Sequence, residues 1–221
     1  GVKSASRVWV NGNKVGYNQG GMEPAEYDLT GFLRPGSNTV AVQVYRFSDG
    51  TYLEDQDMWR LSGIYRDVYL MATPPVHVRD FFVTTDLDDA YRDAELKIRA
   101  EVSHYGKEEA EGYRVRATLY PGNEATPVQE PFESRQLSIP AGGAVGARLS
   151  AAVEAPRLWS AEHPHLYRLV LELLGPDGEV EEILAAWVGF REMEIRDQAF
   201  FVNGRSVKLN SVNSHVHHPD T

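Results

Sequence analysis

The sequence predicts an all-β chain, and three observations carry that prediction. Apolar and polar residues alternate with a period of two through most of the chain. Asn-Gly pairs stand between alternating runs, the signature of two-residue hairpin turns. No segment keeps the 3.6-residue period of an amphipathic helix.

Taken in order, Val8-Trp9-Val10, then Asn11-Gly12, then Lys14 to Tyr17 reads as a hairpin with a type I′ turn, since both central residues of that turn need positive φ. Glu26 to Leu29 leads to a Pro35-Gly36 turn, after which 39–45 alternates as a half-buried strand. A further strand is expected at 65–71. It ends at Thr73-Pro74-Pro75, where proline cannot continue a ladder, and a domain boundary is placed there. Seven more strands follow, at 76–85, 94–103, 113–120, 135–139, 147–153, 167–174 and 181–188. Turns at Gly106, Pro121-Gly122, Gly142-Gly143 and Pro176-Asp177-Gly178 separate several of them. Seven short strands in little more than a hundred residues predict an immunoglobulin-like sandwich without its disulfide. The loop Pro156 to Ser160 carries Trp159, expected to plug one end of that sandwich. A last hairpin is read from Ala199 to Val202, Asn203-Gly204, and Val207 to Leu209.

Composition sets limits on function. The chain has 221 residues, 42% hydrophobic and 24% charged, with a net charge of −10, ordinary values for a globular protein with a sizeable core. The acidic balance argues against nucleic acid as a partner. No apolar run approaches the roughly 18 residues of a membrane-spanning helix. The chain has no cysteine, so disulfides and thiolate metal sites are excluded. That is compatible with a reducing compartment, and the cytoplasm is the location expected. Phosphate loops and Gly-x-Ser-x-Gly elbows are missing, so nucleotide and serine-hydrolase chemistry have no support. The chain starts with Gly1 inside a strand-like run and stops after a histidine cluster, so it is expected to be a piece of a longer polypeptide.

Two clusters could carry chemistry. Glu54, Asp55 and Asp57 crowd together, and like charges buried side by side raise one pKa, as a general acid requires. Arg60 and Arg66 lie close enough in sequence to neutralise them as ion pairs. Ion pairing, a ligand or cation site, and acid/base work are all open on spacing alone. Asp49, in Ser48-Asp49-Gly50, reads as a turn residue with an exposed side chain. His215 and His217 alternate and share one face of a strand, with His218 on the other. Metal ligation, hydrogen bonding to a hydroxyl or carboxylate, and packing are all open for them. Pro219 places them at a strand's carboxyl end, where barrels of parallel strands build active sites.

Nearly the whole chain resembles glycoside hydrolase family 2, specifically the long bacterial β-galactosidases. The similarity runs through Val8 to Gly12 with Gly16-Tyr17, Pro24 to Leu29, and above all Ser48-Asp49-Gly50 through Arg66-Asp67-Val68. It continues in Leu158-Trp159-Ser160 with His163 to Tyr167, in Val188 to Arg191, in Asn203-Gly204, and in Val212-Asn213 with His215, His217, His218 and Pro219. Ser211, Ser214 and Val216 depart from the family's usual glycine, arginine and glutamate, which touches details around His215.

The resemblance implies an organisation: 1–74 is the C-terminal part of a jelly-roll sugar-binding domain, 75–189 an immunoglobulin-like β-sandwich, and 190–221 the hairpin and first strand of a truncated (β/α)8 catalytic barrel. It implies that Asp49 contacts galactosyl hydroxyls and a sodium ion, and that His215 hydrogen-bonds the galactosyl ring. Glu54, Asp55, Asp57 and Arg60 would then mostly hold the jelly roll against the barrel. The implied parent is a retaining hydrolase of terminal β-galactosides and a homo-oligomer. Its acid/base and nucleophilic glutamates and its magnesium ligands are expected beyond Thr221, leaving this chain inactive by itself. The competing readings are a β-glucuronidase or β-mannosidase, and a non-catalytic carbohydrate-binding or scaffold module.

Overall fold

The computed structural model describes residues 1–54 and 61–212. They form two compact units, Gly1–Met71 with Val212, and Ala72–Ser211. Nearly all the regular structure is strand, as the period of two predicts.

In the first unit, β1 (Val2–Lys3), β2 (Ala5–Val10), β3 (Asn13–Asn18), β4 (Val40–Tyr45) and β5 (Gly63–Ile64) are joined by a 3-10 turn, Thr30–Phe32, and one short helix, α1 (Asp49–Leu53). Strand β2 lies between β3 and β4, antiparallel to both. The β2–β3 turn is the expected one: Asn11 and Gly12 have φ of 52° and 83°, and Val10 faces Asn13. Asn11 also ties down the approach to β4. Its Nδ2 donates to Phe32 O at 3.0 Å and to Asn38 Oδ1 at 2.8 Å, and its Oδ1 accepts from Thr39 N–H at 3.0 Å.

The strand expected at 65–71 does not form. Only Gly63–Ile64 pairs, with β1, and the bond from Tyr65 N–H to Gly1 O at 3.2 Å is the last of that ladder. A strand needs a neighbour for its N–H and C=O groups, and β1 is two residues long. Val68, Tyr69, Leu70 and Met71 are left exposed. Helix α1 was not expected either, because five residues are too few to display a 3.6-residue period.

The second unit contains the predicted sandwich. One sheet has the order β11 (Ala144–Val153), β7 (Ala94–His104), β6 (Val76–Leu87). The other runs β10 (Leu137–Ile139), β8 (Ala110–Pro121), β12 (Tyr167–Leu174), β13 (Val180–Val188), with β9 (Phe132–Glu133) also paired to β8. Alternation builds the core. Leu96, Ile98 and Val102 of β7 join Leu169, Leu171 and Leu173 of β12 and Val115, Ala117 and Leu119 of β8 in one buried cluster. The alternate residues of β7 are polar, and there Lys97 Nζ bridges Asp86 at 2.6 Å and Glu95 at 3.1 Å.

The plug at one end is Phe190, not Trp159. Phe190 is fully buried, edge-on to Tyr167 with centroids 5.0 Å apart. The 156–160 loop is drawn over it by a bond from Trp159 N–H to Phe190 O at 2.8 Å. Trp159 stays half-buried because it lies across Gly189, whose missing side chain makes room for it, and under the Arg191 guanidinium, 4.4 Å from the ring.

The chain continues into a three-stranded antiparallel sheet, β14 (Met193–Arg196), β15 (Ala199–Val202) and β16 (Arg205–Val207). Its second turn is the expected Asn203-Gly204, with φ of 50° and 72°. Its first, Asp197-Gln198, has φ of 48° and 63° and no glycine, which hid β14 from the sequence. This sheet is fastened within the second unit. Asn203 Nδ2 donates to Trp159 O at 3.0 Å, and Tyr91 donates its hydroxyl to Glu194 at 2.7 Å. That hydrogen bond raises the Tyr91 phenol above its ordinary pKa. Among the described residues no barrel forms. Residues 208–212 carry no strand, and the rest of the expected first barrel strand, from Asn213 on, lies outside the described residues.

Two outcomes follow from this packing. Phe190→Ala removes a buried aromatic ring, and urea unfolding is expected to show a loss of about 3–5 kcal/mol, against about 1 kcal/mol or less for a solvent-facing control such as Glu101→Ala. The Asp88 carboxyl accepts from Arg92 N–H at 2.7 Å, which holds its pKa below the ordinary value. A depressed carboxyl stabilises above its unfolded pKa, and that contribution is lost as pH falls through the folded pKa. In an NMR titration the Arg92 amide shift is expected to move together with the Asp88 carboxyl, below the range of a free aspartate.

Candidate functional site

Asp49 is the first residue of α1, not the turn residue that its sequence context suggests. The chain leaves β4 at Tyr45 and reaches Ser48 in an extended conformation, φ −154°. Four side chains then seat the helix. Ser48 N–H donates to Thr51 Oγ1 at 3.1 Å, while Thr51 Oγ1 donates to Arg46 O at 3.1 Å. Ser48 Oγ donates to Ser4 Oγ at 2.8 Å, and the fully buried Ser4 hydroxyl donates on to Tyr45 O at 3.1 Å and Arg46 O at 3.3 Å. From the other side comes Gln19. With its carboxamide oxygen toward the helix it accepts from Gly50 N–H at 3.2 Å and Asp49 N–H at 3.3 Å, and its amino group donates to the Tyr17 hydroxyl at 3.0 Å. The reverse orientation would face the amino group toward two N–H donors.

The Asp49 carboxylate is exposed and makes no hydrogen bond among the described residues. The first turn of a helix is a favourable place for it, because the free N–H groups there carry partial positive charge. It lines a shallow concavity of about 440 Å³ that Arg7, Lys14, Tyr17, Tyr45 and Phe47 also line. The Arg7 guanidinium stands 6.0 Å from the Tyr17 ring centroid and 5.4 Å from that of Tyr45. Strand pairing makes this wall: Arg7 is opposite Tyr17 on β3, and Ala5, on the same face of β2, is opposite Tyr45 on β4. Tyrosine rings and a stacked guanidinium offer both flat apolar area and hydrogen-bond donors. These are the features that a sugar's C–H faces and hydroxyls meet.

Of the other candidates, Glu54 follows α1 directly. Its Oε2 is buried beside Gly21 with no hydrogen-bond partner among the described residues. Asp55, Asp57 and Arg60, and likewise His215, His217 and His218, lie outside the described residues. Among the described residues no cluster of three or more histidines, aspartates and glutamates could hold a metal ion. A single exposed carboxylate such as Asp49 fits a hard, oxygen-seeking cation as one ligand of several. Sequence reasoning missed Ser4, Gln19 and the Arg7–Tyr17–Tyr45 wall. The alternation in β2 puts Ala5 and Arg7 on one face, but only the register of β3 and β4 says what stands opposite.

The chain was compared with known proteins. Residues 1–74 match the glycosyl hydrolases family 2 sugar binding domain, and residues 76–191 match the family model described as glycosyl hydrolases family 2. The chain belongs to glycosyl hydrolases family 2. It is 43% identical to a β-galactosidase of Priestia megaterium over 97% of its length, covering 20% of that relative. It is 44% identical to a β-galactosidase of Pectobacterium atrosepticum over 99% of its length, covering 21%. The chain thus spans about a fifth of the length of these curated relatives. Among solved structures, a β-glucuronidase of Bacteroides uniformis superposes with a TM-score of 0.83 at 26% identity, over 97% of this chain and 26% of that one. A family 2 member from Bacteroides cellulosilyticus gives a TM-score of 0.82 at 27% identity, over 95% of this chain and 28% of that one. The open sheet of the first unit thus lies within the residues that match the sugar binding domain, and the β-sandwich of the second within those that match the second family model.

The seat of α1 yields one expectation. Ser4→Ala removes the buried Ser4 hydroxyl and leaves the half-buried Ser48 Oγ without its acceptor, so urea unfolding is expected to show a loss of about 0.5–1.5 kcal/mol.

Proposed function

We propose that this chain is part of a retaining β-galactosidase that hydrolyses terminal non-reducing β-D-galactose residues. The observation that carries the reading is the 43–44% identity to two β-galactosidases across nearly the whole chain. The geometry supports it through Asp49, which presents a free carboxylate beside an aromatic wall. Asp49 accepts hydrogen bonds from galactosyl hydroxyls and gives an oxygen to a sodium ion. His215 hydrogen-bonds the galactosyl ring as positive charge develops on it. Contacts that tighten at an oxocarbenium-like transition state raise the rate rather than only the affinity.

The acid/base and nucleophilic glutamates, and the ligands of a magnesium ion, belong to polypeptide beyond Thr221, in the catalytic barrel that begins within 190–221. The fraction of the relatives that the chain spans supports this division. The substrate is a β-galactoside, and nucleic acid and membrane have no part in the function. The whole enzyme is a cytoplasmic homo-oligomer.

A β-glucuronidase is the second reading, because solved neighbours carry that name, though at 25–26% identity. A panel of aryl glycosides with the whole enzyme decides between them. Preference for the galactoside is expected, and preference for the glucuronide would overturn the assignment. The isolated chain is expected to release no chromophore from an aryl β-galactoside. In the whole enzyme, Asp49→Ala is expected to weaken both substrate affinity and the response to sodium, read from KM and from activity against sodium concentration.

A further inference from the structure

We propose that Gln19 is a positioning residue for Asp49, holding the backbone on which the Asp49 carboxylate is presented. This rests on the reading of Asp49 as a substrate and sodium contact. The argument begins with what α1 lacks. A helix of five residues is below the length at which helical structure holds itself together. Its orientation is therefore set by outside contacts. One such contact is the Ser4–Ser48 hydroxyl pair, which grips the residue before the helix. Another is Gln19, the side chain that, among the described residues, binds the N–H groups of Asp49 and Gly50 themselves.

Packing adds to the hydrogen bonds. Gly50 is buried, and a Cβ placed on it would stand 3.2 Å from the Gln19 carbonyl oxygen and 3.6 Å from Gln19 Cγ. The main chain of Gln19 therefore packs tightly against the start of the helix, with its side-chain Cγ in ordinary van der Waals contact. The nitrogen of the same carboxamide is held by Tyr17, whose ring belongs to the wall of the same concavity. A carboxamide bonded through both its oxygen and its nitrogen loses little further freedom, so it can hold the Asp49 backbone before any ligand arrives. Preorganisation of this kind lowers the ordering cost of binding. A carboxylate must sit within a fraction of an ångström of its productive place to share a cation with other ligands.

Gln19 also lines the concavity, but its carboxamide is taken up by the Asp49 and Gly50 N–H groups and by Tyr17, so its effect is assigned to the placing of Asp49. The test is a double-mutant cycle in the whole enzyme with Gln19→Leu, Asp49→Ala and the pair, reading KM, kcat and the sodium concentration for half-activation. Gln19→Glu and a thermal melt of every variant accompany it. Losing two modest hydrogen bonds is expected to raise KM and the sodium requirement by roughly 3- to 10-fold. On the Asp49→Ala background the Gln19→Leu change is expected to add less than about 2-fold, because interacting residues are not additive. Gln19→Glu keeps an oxygen acceptor for both N–H groups and is expected to retain a sodium response nearer wild type than Gln19→Leu does. Additive losses, or an unchanged sodium requirement in a folded Gln19→Leu, overturn the role of Gln19 while leaving Asp49 in place. An Asp49→Ala enzyme with unaltered KM and sodium response overturns the reading of Asp49, and the inference with it. If Gln19→Leu fails to fold, Gln19→Met, which keeps the length of the side chain without the oxygen acceptor, and its cycle with Asp49→Ala carry the decision by the same criteria.

Discussion

The sandwich of the second unit depends on two central strands burying one face each. Leu96, Ile98 and Val102 on β7 and Leu169, Leu171 and Leu173 on β12 are all at or below 1% exposure. A one-residue slip of either strand would turn that whole set to solvent and bring Lys97 or Glu172 into the core. The register of every neighbouring strand is held by this requirement. With the core fixed, the ends need sealing, and Phe190 seals one of them under the 156–160 loop. The same seal anchors the following sheet, since Asn203 reaches the Trp159 carbonyl.

The first unit is built differently. Ala5, Val8 and Val10 are its buried apolar side chains among the described residues, so apolar burial contributes less there. Polar contacts take over the positioning. Asn11 ties the β2–β3 turn to the approach to β4, and Ser4, Ser48, Thr51 and Gln19 seat α1. Such contacts are weaker individually than core burial, but they are directional. Directional contacts fix where α1 presents the Asp49 carboxylate.

Much of the fold was legible because strands report themselves through alternation. All seven sandwich strands lie where alternation and turn residues put them, with β9 an unforeseen two-residue addition. The misses have physical causes. The 65–71 run looked like a strand, but β1 offers only two residues to pair with. Strand β14 was overlooked because its turn, Asp197-Gln198, adopts positive φ without glycine. Helix α1 was invisible as a periodicity, although Ser48 and Thr51 at capping distance were a local sign of it. Trp159 drew attention by size, yet a ring lying across Gly189 and beneath Arg191 is held partly outside the core that Phe190 fills.

By itself the sequence determined the strand class, the hairpin turns at Asn11-Gly12 and Asn203-Gly204, the family, and Asp49 as the residue to examine. These depend on local chemistry: side-chain period, positive-φ preference and a distinctive run of residues. Only the tertiary structure decided what surrounds Asp49. Ser4 and Gln19 are 45 and 30 positions away along the chain, and nothing local marks them. They meet α1 because β2 pairs with β3 on one side and β4 on the other, and pairing register is a property of the assembled sheet.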